Sequence, residues 1–268
     1  MKAPAKVPLD LSVVSPDGLA GKSLAEIQKL EVWRGNRRVH LGDVFQVEGE
    51  AGGKPDELSI VIEGDLSKAR RVGKGMSAGK VVVNGPAGWY LGEEMKGGCI
   101  IVRGDAGSWV GSEMKNGVIE VEGDAGDAVG AGYRGGRAGM QGGLIVVKGN
   151  AGSEVGCWMK DGVIKIGGDV GLLAGMRMQG GTILIAGNSE GRLGASMVGG
   201  KVVLLGTVPS ILPSFFIEEV RPSVKVGGEK IAGPFYTFTG DVVEKGSGRL
   251  FISTQKNPHL KVKEAYML

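Results

Sequence analysis

Side chains able to do metal or acid–base chemistry are few in this chain, and they are scattered. There are two histidines, His40 and His259, and two cysteines, Cys99 and Cys157. A zinc site needs three or four converging ligands, and no cluster of His, Cys, Asp and Glu offers them. An iron–sulfur cluster takes four thiolates, so two cysteines fall short. No Gly-x-Ser-x-Gly nucleophile elbow is present. Gly21-Lys22-Ser23 has the ending of a phosphate-binding loop, but the first glycine of that motif falls on Pro16 and no strand precedes it. The expectation is a chain with no catalytic, cofactor-binding or metal-binding residue of its own.

Two columns of chemistry-bearing residues do recur. Asp105, Asp124, Asn150, Asp169 and Asn188 form an acidic and amide series. Such columns bind Ca²⁺ or polysaccharide in some β-helices. Each residue here follows a glycine, which favours a side chain capping its own turn. Met76, Met95, Met114, Met140, Met159, Met178 and Met197 form a second series, holding seven of the ten methionines. Thioethers bind soft copper, but no Cys or His accompanies these. They are assigned to an irregular core, which flexible Met fills well.

Both columns belong to a repeat of nineteen residues starting at Lys80, Cys99, Val118, Leu144, Val163 and Thr182, with a looser copy from Ser59. The template has apolar residues at its second and fourth positions, Gly at the sixth, Asp or Asn at the seventh, Ala-Gly, then Gly, Met and a final Gly. Ile100, Val102 and Ile119, Val121 illustrate the period of two, which marks a short strand with one face inward. Glycine at positions six, thirteen and nineteen divides each coil into three sides. A repeat this short is near one turn of a β-helix. Stacked coils place strands roughly 4.8 Å apart, making a prism on the order of 34 Å long. The expected fold is all-β, a right-handed parallel β-helix of about seven coils. A left-handed hexapeptide helix is the competitor, but it wants coils of eighteen residues.

Residues 1–58 read as an N-terminal cap, 59–206 as the β-helix and 207–268 as a C-terminal cap. Ser23-Leu-Ala-Glu26 is a capping-box pattern opening a helix through Leu30. Leu41–Gly49 reads as a strand of an imperfect first coil. After the strand Lys201–Leu205 the pattern breaks at Pro209 and Pro213, and Phe235–Asp241 resembles a further repeat start.

A net charge of +3 does not point to nucleic acid or a membrane. No run of eighteen apolar residues occurs, and residues 1–10 have no apolar core of the signal-peptide kind. The expectation is a cytoplasmic protein. Partner contact is the better place to look for function. Template position three faces outward yet holds Val82, Ile101, Val146 and Leu184. Trp89, Tyr90, Trp109 and Trp158 occupy other outward positions. An exposed apolar stripe marks either a partner surface or one covered by a terminal segment. The copy from Val118 is twenty-six residues long, and its extra segment reads as Ala131–Arg137. Tyr133, Arg134 and Arg137 suit an interface or an anionic ligand, against the plainer reading of a solvated loop.

These residues resemble the C subunit of formylmethanofuran dehydrogenase. The likeness rests on Leu19-Ala-Gly-Lys-Ser23, Gly35-Asn36, Leu41-Gly-Asp43 and Val47-Glu-Gly49, then the Gly-Asp-Ala-Gly and Met-Lys-Gly-Gly repeats. It continues through Tyr133-Arg-Gly135, Gly139-Met-x-Gly-Gly143, Gly233-Pro-Phe-Tyr236 and Phe238-x-Gly-Asp241. The repeats alone are also similar to the C-terminal domain of the glutamate synthase large subunit. The resemblance implies a non-catalytic β-helix scaffold in a tungsten or molybdenum oxidoreductase complex. That complex fixes CO₂ onto methanofuran with ferredoxin electrons, a step of methanogenesis and one-carbon metabolism. It implies that tungsto- or molybdopterin, iron–sulfur clusters and zinc sit in other subunits, one of them amidohydrolase-like. The C subunit of a bacterial formyltransferase/hydrolase complex is the alternative. A free-standing β-helix acting on polysaccharide is a third possibility, of another class.

Overall fold

The computed structural model describes residues 7–267. Its centre is a parallel β-helix of about eight turns, one more than the repeat count suggests. One side of the prism is a ladder of parallel strands beginning at Ser59, Lys80, Cys99, Val118, Leu144, Val163, Thr182 and Lys201. The register keeps each template position above itself, as in Ile100 with Ile119, Ile119 with Ile145, and Ile145 with Ile164. A second side carries a lighter ladder of isolated bridges joining Ala87, Ala106, Ala125, Ala151 and Val170. Stacking like on like is what a strict repeat dictates: every inward position becomes a column of one residue type.

The core sits inside these coils. Ile100, Val102, Ile119, Val121, Ile145 and Val147 have no solvent exposure. The seven template methionines are equally buried, at 0% each, which places the whole column in the core. Burying a Met or Ile side chain contributes about 1.5–3 kcal/mol, so columns of them dominate the cohesion of the prism.

The Asp and Asn column works between coils and not within its own turn, contrary to the expectation. Asp105 Oδ1 accepts from the backbone N–H of Asp124 at 2.9 Å, Asp124 from Asn150 at 2.7 Å, and Asn150 from Asp169 at 2.8 Å. The series continues from Asp169 to Asn188 and from Asn188 to Thr207. The physical reason is the short rise between coils, which brings the next N–H within reach of a two-atom side chain. Ser108, Asp127 and Ser153 repeat the device three positions further on, accepting from Asp127, Ser153 and Leu172.

The N-terminal cap closes one end. Leu9–Asp10 pairs parallel with Leu66–Arg70 and antiparallel with Glu31–Arg34, so it shields a sheet edge. Ser23 caps the helix Leu24–Gln28 with a full capping box, and the helix ends two residues before Leu30. Leu41–Gly49 is not a strand. Leu41–Val44 is one helical turn, with Asp43 accepting from the His40 N–H at 3.0 Å, and residues 45–49 join no sheet. A carboxylate three residues after the cap favours that turn over an extended backbone.

The C-terminal cap is a long hairpin, Phe216–Val226 and Glu229–Gly240, turning at Gly227-Gly228, both with positive φ. Phe235–Asp241 therefore does not restart the repeat; residues 235–240 lie in an antiparallel strand. The parallel ladder resumes at Gly248–Ser253, whose Leu250 pairs with Val202. Val224, Val226, Ile231 and Phe235 of the hairpin pack on Val163, Leu184, Val203 and Phe251. The cap thus folds back over one end of the outward apolar stripe.

Candidate docking surface

The residues singled out as interface candidates fall on two sides of the prism. Val82, Ile101, Val146 and Leu184 share the outward face of the main ladder, one above another through Glu120 and Lys165. They do not share one fate. Leu184 lies under the hairpin, so it is a packing residue of the cap. Val82, Ile101 and Val146 lie outside that cluster. Val82 is nevertheless only 9% exposed, while Ile101 and Val146 are half-buried. The open part of the stripe is shorter than the sequence suggests.

Aromatic residues gather on a different side. Tyr90 and Trp109 occupy the same template position on successive coils, with positive φ of 60° and 68°. That backbone conformation recurs at Ala128, Glu154, Leu173 and Arg192, so it belongs to the coil and not to the aromatic side chain. Because the coils stack in register, the two rings stack as well, with centroids 5.7 Å apart and planes 19° from parallel. Tyr133 from the long coil completes the group, 6.4 Å from Tyr90 and 6.1 Å from Trp109.

Arg71 closes the side nearest the N-terminal cap. Its guanidinium lies 5.6 Å from the centre of the Tyr90 ring. It also pairs with Asp10 at 2.7 Å and Glu93 at 3.1 Å, and Lys74 reaches Glu93 at 3.1 Å. Burial on its own would lower the Arg71 pKa, but the bonds and charges of Asp10 and Glu93 hold it above its ordinary value. Burial raises the Tyr90 pKa, with the Tyr133 phenol adding to it. The sequence pattern points to Tyr90 but not to Arg71 or Glu93. Arg71 occupies the column of Tyr90 and Trp109 one coil earlier, with φ 66° and the same inter-coil bond from its N–H to Trp89 O. The loose copy from Ser59 is two residues longer, which hides that alignment when counted from its start.

The long coil shapes the opposite rim. Glu113 N–H donates to Ala131 O and Gly132 N–H donates to Cys157 O, the bonds that template positions fourteen and fifteen make in other coils. The extra segment is therefore Tyr133–Gly139 and not Ala131–Arg137. The two alignments are indistinguishable in sequence, because Ala131-Gly132 and Ala138-Gly139 are the same dipeptide. The loop is pinned rather than free. Tyr133 N–H donates to Glu113 Oε1 at 3.1 Å, Gly139 N–H to Trp158 O at 2.7 Å, and Gln179 Nε2 to Arg137 O at 3.3 Å. Tyr133, Arg134 and Arg137 are all exposed.

Trp158 joins the base of this loop. With Trp109 and Met176 it packs on Ala128, Ala131 and Cys157, and the Arg177 guanidinium lies 5.2 Å from its ring. Burial pushes the Cys157 thiol up to about 11, which leaves it a packing group at neutral pH. Between loop and rings lies a cleft of about 410 Å³ lined by Trp89, Tyr90, Trp109, Asp127, Tyr133 and Arg134 among others. Rigid aromatic rings beside an exposed Arg are the composition of a protein-binding hot spot. Among the described residues, no three His, Cys, Asp or Glu side chains come together to hold a metal ion.

Comparison with known proteins bears on the family and the fold. No protein-family model matches the chain. It is 48% identical over 267 residues to the C subunit of the tungsten-containing formylmethanofuran dehydrogenase 2 of Methanococcus maripaludis, covering 97% of each chain. The same-named protein of Methanothermobacter wolfeii is 41% identical over 87 residues, and that match spans 32% of its length. The crystal structure of the formyltransferase/hydrolase complex from Methylorubrum extorquens, determined with methylofuran, contains a chain with a TM-score of 0.82 and 30% identity. That match covers 94% of this chain and 98% of the other. Identity at this level along nearly the whole length, with a shared β-helix, means that the chain belongs to the family of formylmethanofuran dehydrogenase C subunits.

Proposed function

We propose that this chain is the β-helical scaffold of a formylmethanofuran dehydrogenase complex, a cytoplasmic assembly that joins CO₂ to methanofuran as the formyl derivative. The observation that carries the reading is the 48% identity over 97% of the chain to a C subunit of that enzyme. In this reading the pterin-bound tungsten or molybdenum, the iron–sulfur clusters and the zinc belong to partner subunits, one amidohydrolase-like and one molybdopterin-binding. The β-helix contributes a long rigid surface that sets their spacing. The pinned loop Tyr133–Gly139 and the rings of Tyr90, Trp109 and Trp158 dock one partner; the uncovered stripe at Ile101 and Val146 contributes to a second contact.

Affinity purification of the tagged chain from its native host tests this. Co-elution with stoichiometric partners carrying tungsten or molybdenum and formylmethanofuran dehydrogenase activity is expected. Recovery of the chain alone would overturn the reading. The match to the formyltransferase/hydrolase complex supports a second reading, a place in an assembly of that kind. Formyltransferase activity without pterin-bound metal in the eluate would favour it.

A further inference from the structure

The C-terminal hairpin does more than cover the apolar stripe. Between it and the last rungs of the β-helix lies a cleft of about 840 Å³. Five of its lining residues are basic, Lys201, Arg221, Lys225, Lys230 and Arg249, and none is acidic. Two of the cations are answered nearby: Arg221 by Glu219, and Arg249 by Glu218 at 3.8 Å. The other three have no carboxylate partner among the described residues. Lys201 is half-buried, and its ammonium donates to the backbone oxygen of Lys225 at 2.6 Å. Burial lowers its pKa, since nothing there compensates the charge. Val224 and Phe251, both buried, are the apolar residues of the lining.

We propose that this cleft binds an acidic peptide segment of a neighbouring protein in the complex, its carboxylates meeting Lys201, Lys225 and Lys230. Lys225 and Lys230 lie directly opposite each other in the hairpin, Lys201 bonds the Lys225 backbone, and Arg221 and Arg249 extend the basic lining, a set of five cations that suits several carboxylates in a row. A half-buried ammonium without a counter-ion gains most from an arriving carboxylate, because the surroundings screen the pair less than water does. The inference rests on the scaffold reading only for the source of the peptide.

The test uses the purified full-length chain and a fluorescein-labelled hexaglutamate peptide, followed by anisotropy at low salt. Binding is expected, with affinity reduced by about tenfold or more in Lys225→Glu/Lys230→Glu, and similarly in Lys201→Gln. Both lysines of the double variant are exposed, so its melting temperature should hold. Lys225→Gln/Lys230→Gln serves as the milder check should charge reversal disturb the hairpin. Equal binding of a hexaglutamine peptide would overturn the inference. So would unchanged affinity in folded variants, or tighter binding of tripolyphosphate than of the peptide. A chain that binds the peptide yet purifies alone from its host would sink the scaffold reading and leave the site standing.

Discussion

The methyl carbon of Met114 lies 2.8 Å from where a β-carbon would stand at Gly143. The same contact joins Met95 to Gly117 at 2.7 Å, Met140 to Gly162 at 2.8 Å and Met159 to Gly181 at 2.7 Å. Each thioether therefore fills the corner left by a glycine of the next coil. The Met column and the last Gly column of the repeat are one packing device: Met at position sixteen requires the absence of a side chain at position nineteen, one coil on. Gly143 also has φ +89°, a conformation that L side chains rarely adopt.

Substitution at either member should be costly. Met114→Ala should destabilise the chain by about 2–5 kcal/mol through the cavity it leaves. Gly143→Ala should cost about 1–3 kcal/mol for overpacking, with backbone strain added. The double variant should be less damaging than the sum, since the new methyl group occupies part of the space vacated by Met114. Denaturant unfolding of the three variants checks this; strict additivity would mean that the two residues do not share the corner.

The inter-coil ladder predicts a difference between Asp124→Ala and Asp124→Asn. The first removes the acceptor for the Asn150 N–H and should cost about 1 kcal/mol. The second keeps an oxygen in place, as Asn150 does for Asp169, and should melt near the wild type. Neither melt should respond to Ca²⁺ or to a chelator. A rise in melting temperature with Ca²⁺ that vanishes in Asp124→Ala would assign the column to ion binding.

Deleting Tyr133–Gly139 leaves Gly130-Ala131-Gly132-Met140, which satisfies the template. A loop of this length adds little closure cost, so the shortened chain should stay folded. It should also lose its partners on affinity purification. Trp109→Ala should weaken the same association, by about 2 kcal/mol if it is a hot spot. Full recovery of the complex after the deletion would leave the loop as solvated decoration.

The two halves of the apolar stripe should respond differently to charge. Leu184→Asp places a carboxylate beneath the hairpin, against Val224 and Ile231, and should destabilise the chain itself by several kcal/mol. Val146 lies outside the hairpin's apolar cluster, so Val146→Asp should leave the melt within about a degree. Its effect should appear in assembly. Matching melts for the two variants would show that the cap does not seal the stripe.

The buried thiol gives a pH prediction. Burial raises the Cys157 pKa to about 11 in the folded chain from an ordinary 9.0. Between those values the folded state holds a proton that the unfolded state releases. Stability from this group is therefore complete below pH 9 and is lost as pH rises towards 11. Cys157→Ala should flatten that part of the stability–pH curve. Cys157 should also resist iodoacetamide at pH 8 in the native chain, as mass spectrometry of the alkylated protein would report; rapid labelling would place the thiol at the surface.

The repeat alone determined the β-helix, the buried methionines and the inward strand faces, because a solenoid converts sequence period directly into spatial stacking. The candidates Tyr133, Arg134 and Arg137 were legible for the same reason, as a departure from a strict pattern. Where the period failed, so did the expectation. Leu41–Gly49 and Phe235–Asp241 have strand-like composition, but a side-chain cap turned the start of one into a single helical turn and hairpin pairing drew the other into an antiparallel strand. The register of the insertion was undecidable in one dimension, since Ala-Gly occurs at both of its ends; hydrogen bonds to Glu113 and Cys157 decided it. Asp10 beside Arg71, the hairpin over Leu184 and the basic cleft at Lys201 join residues separated by irregular sequence. Only tertiary structure brings such residues together, because no local period links the caps to the coils that they cover.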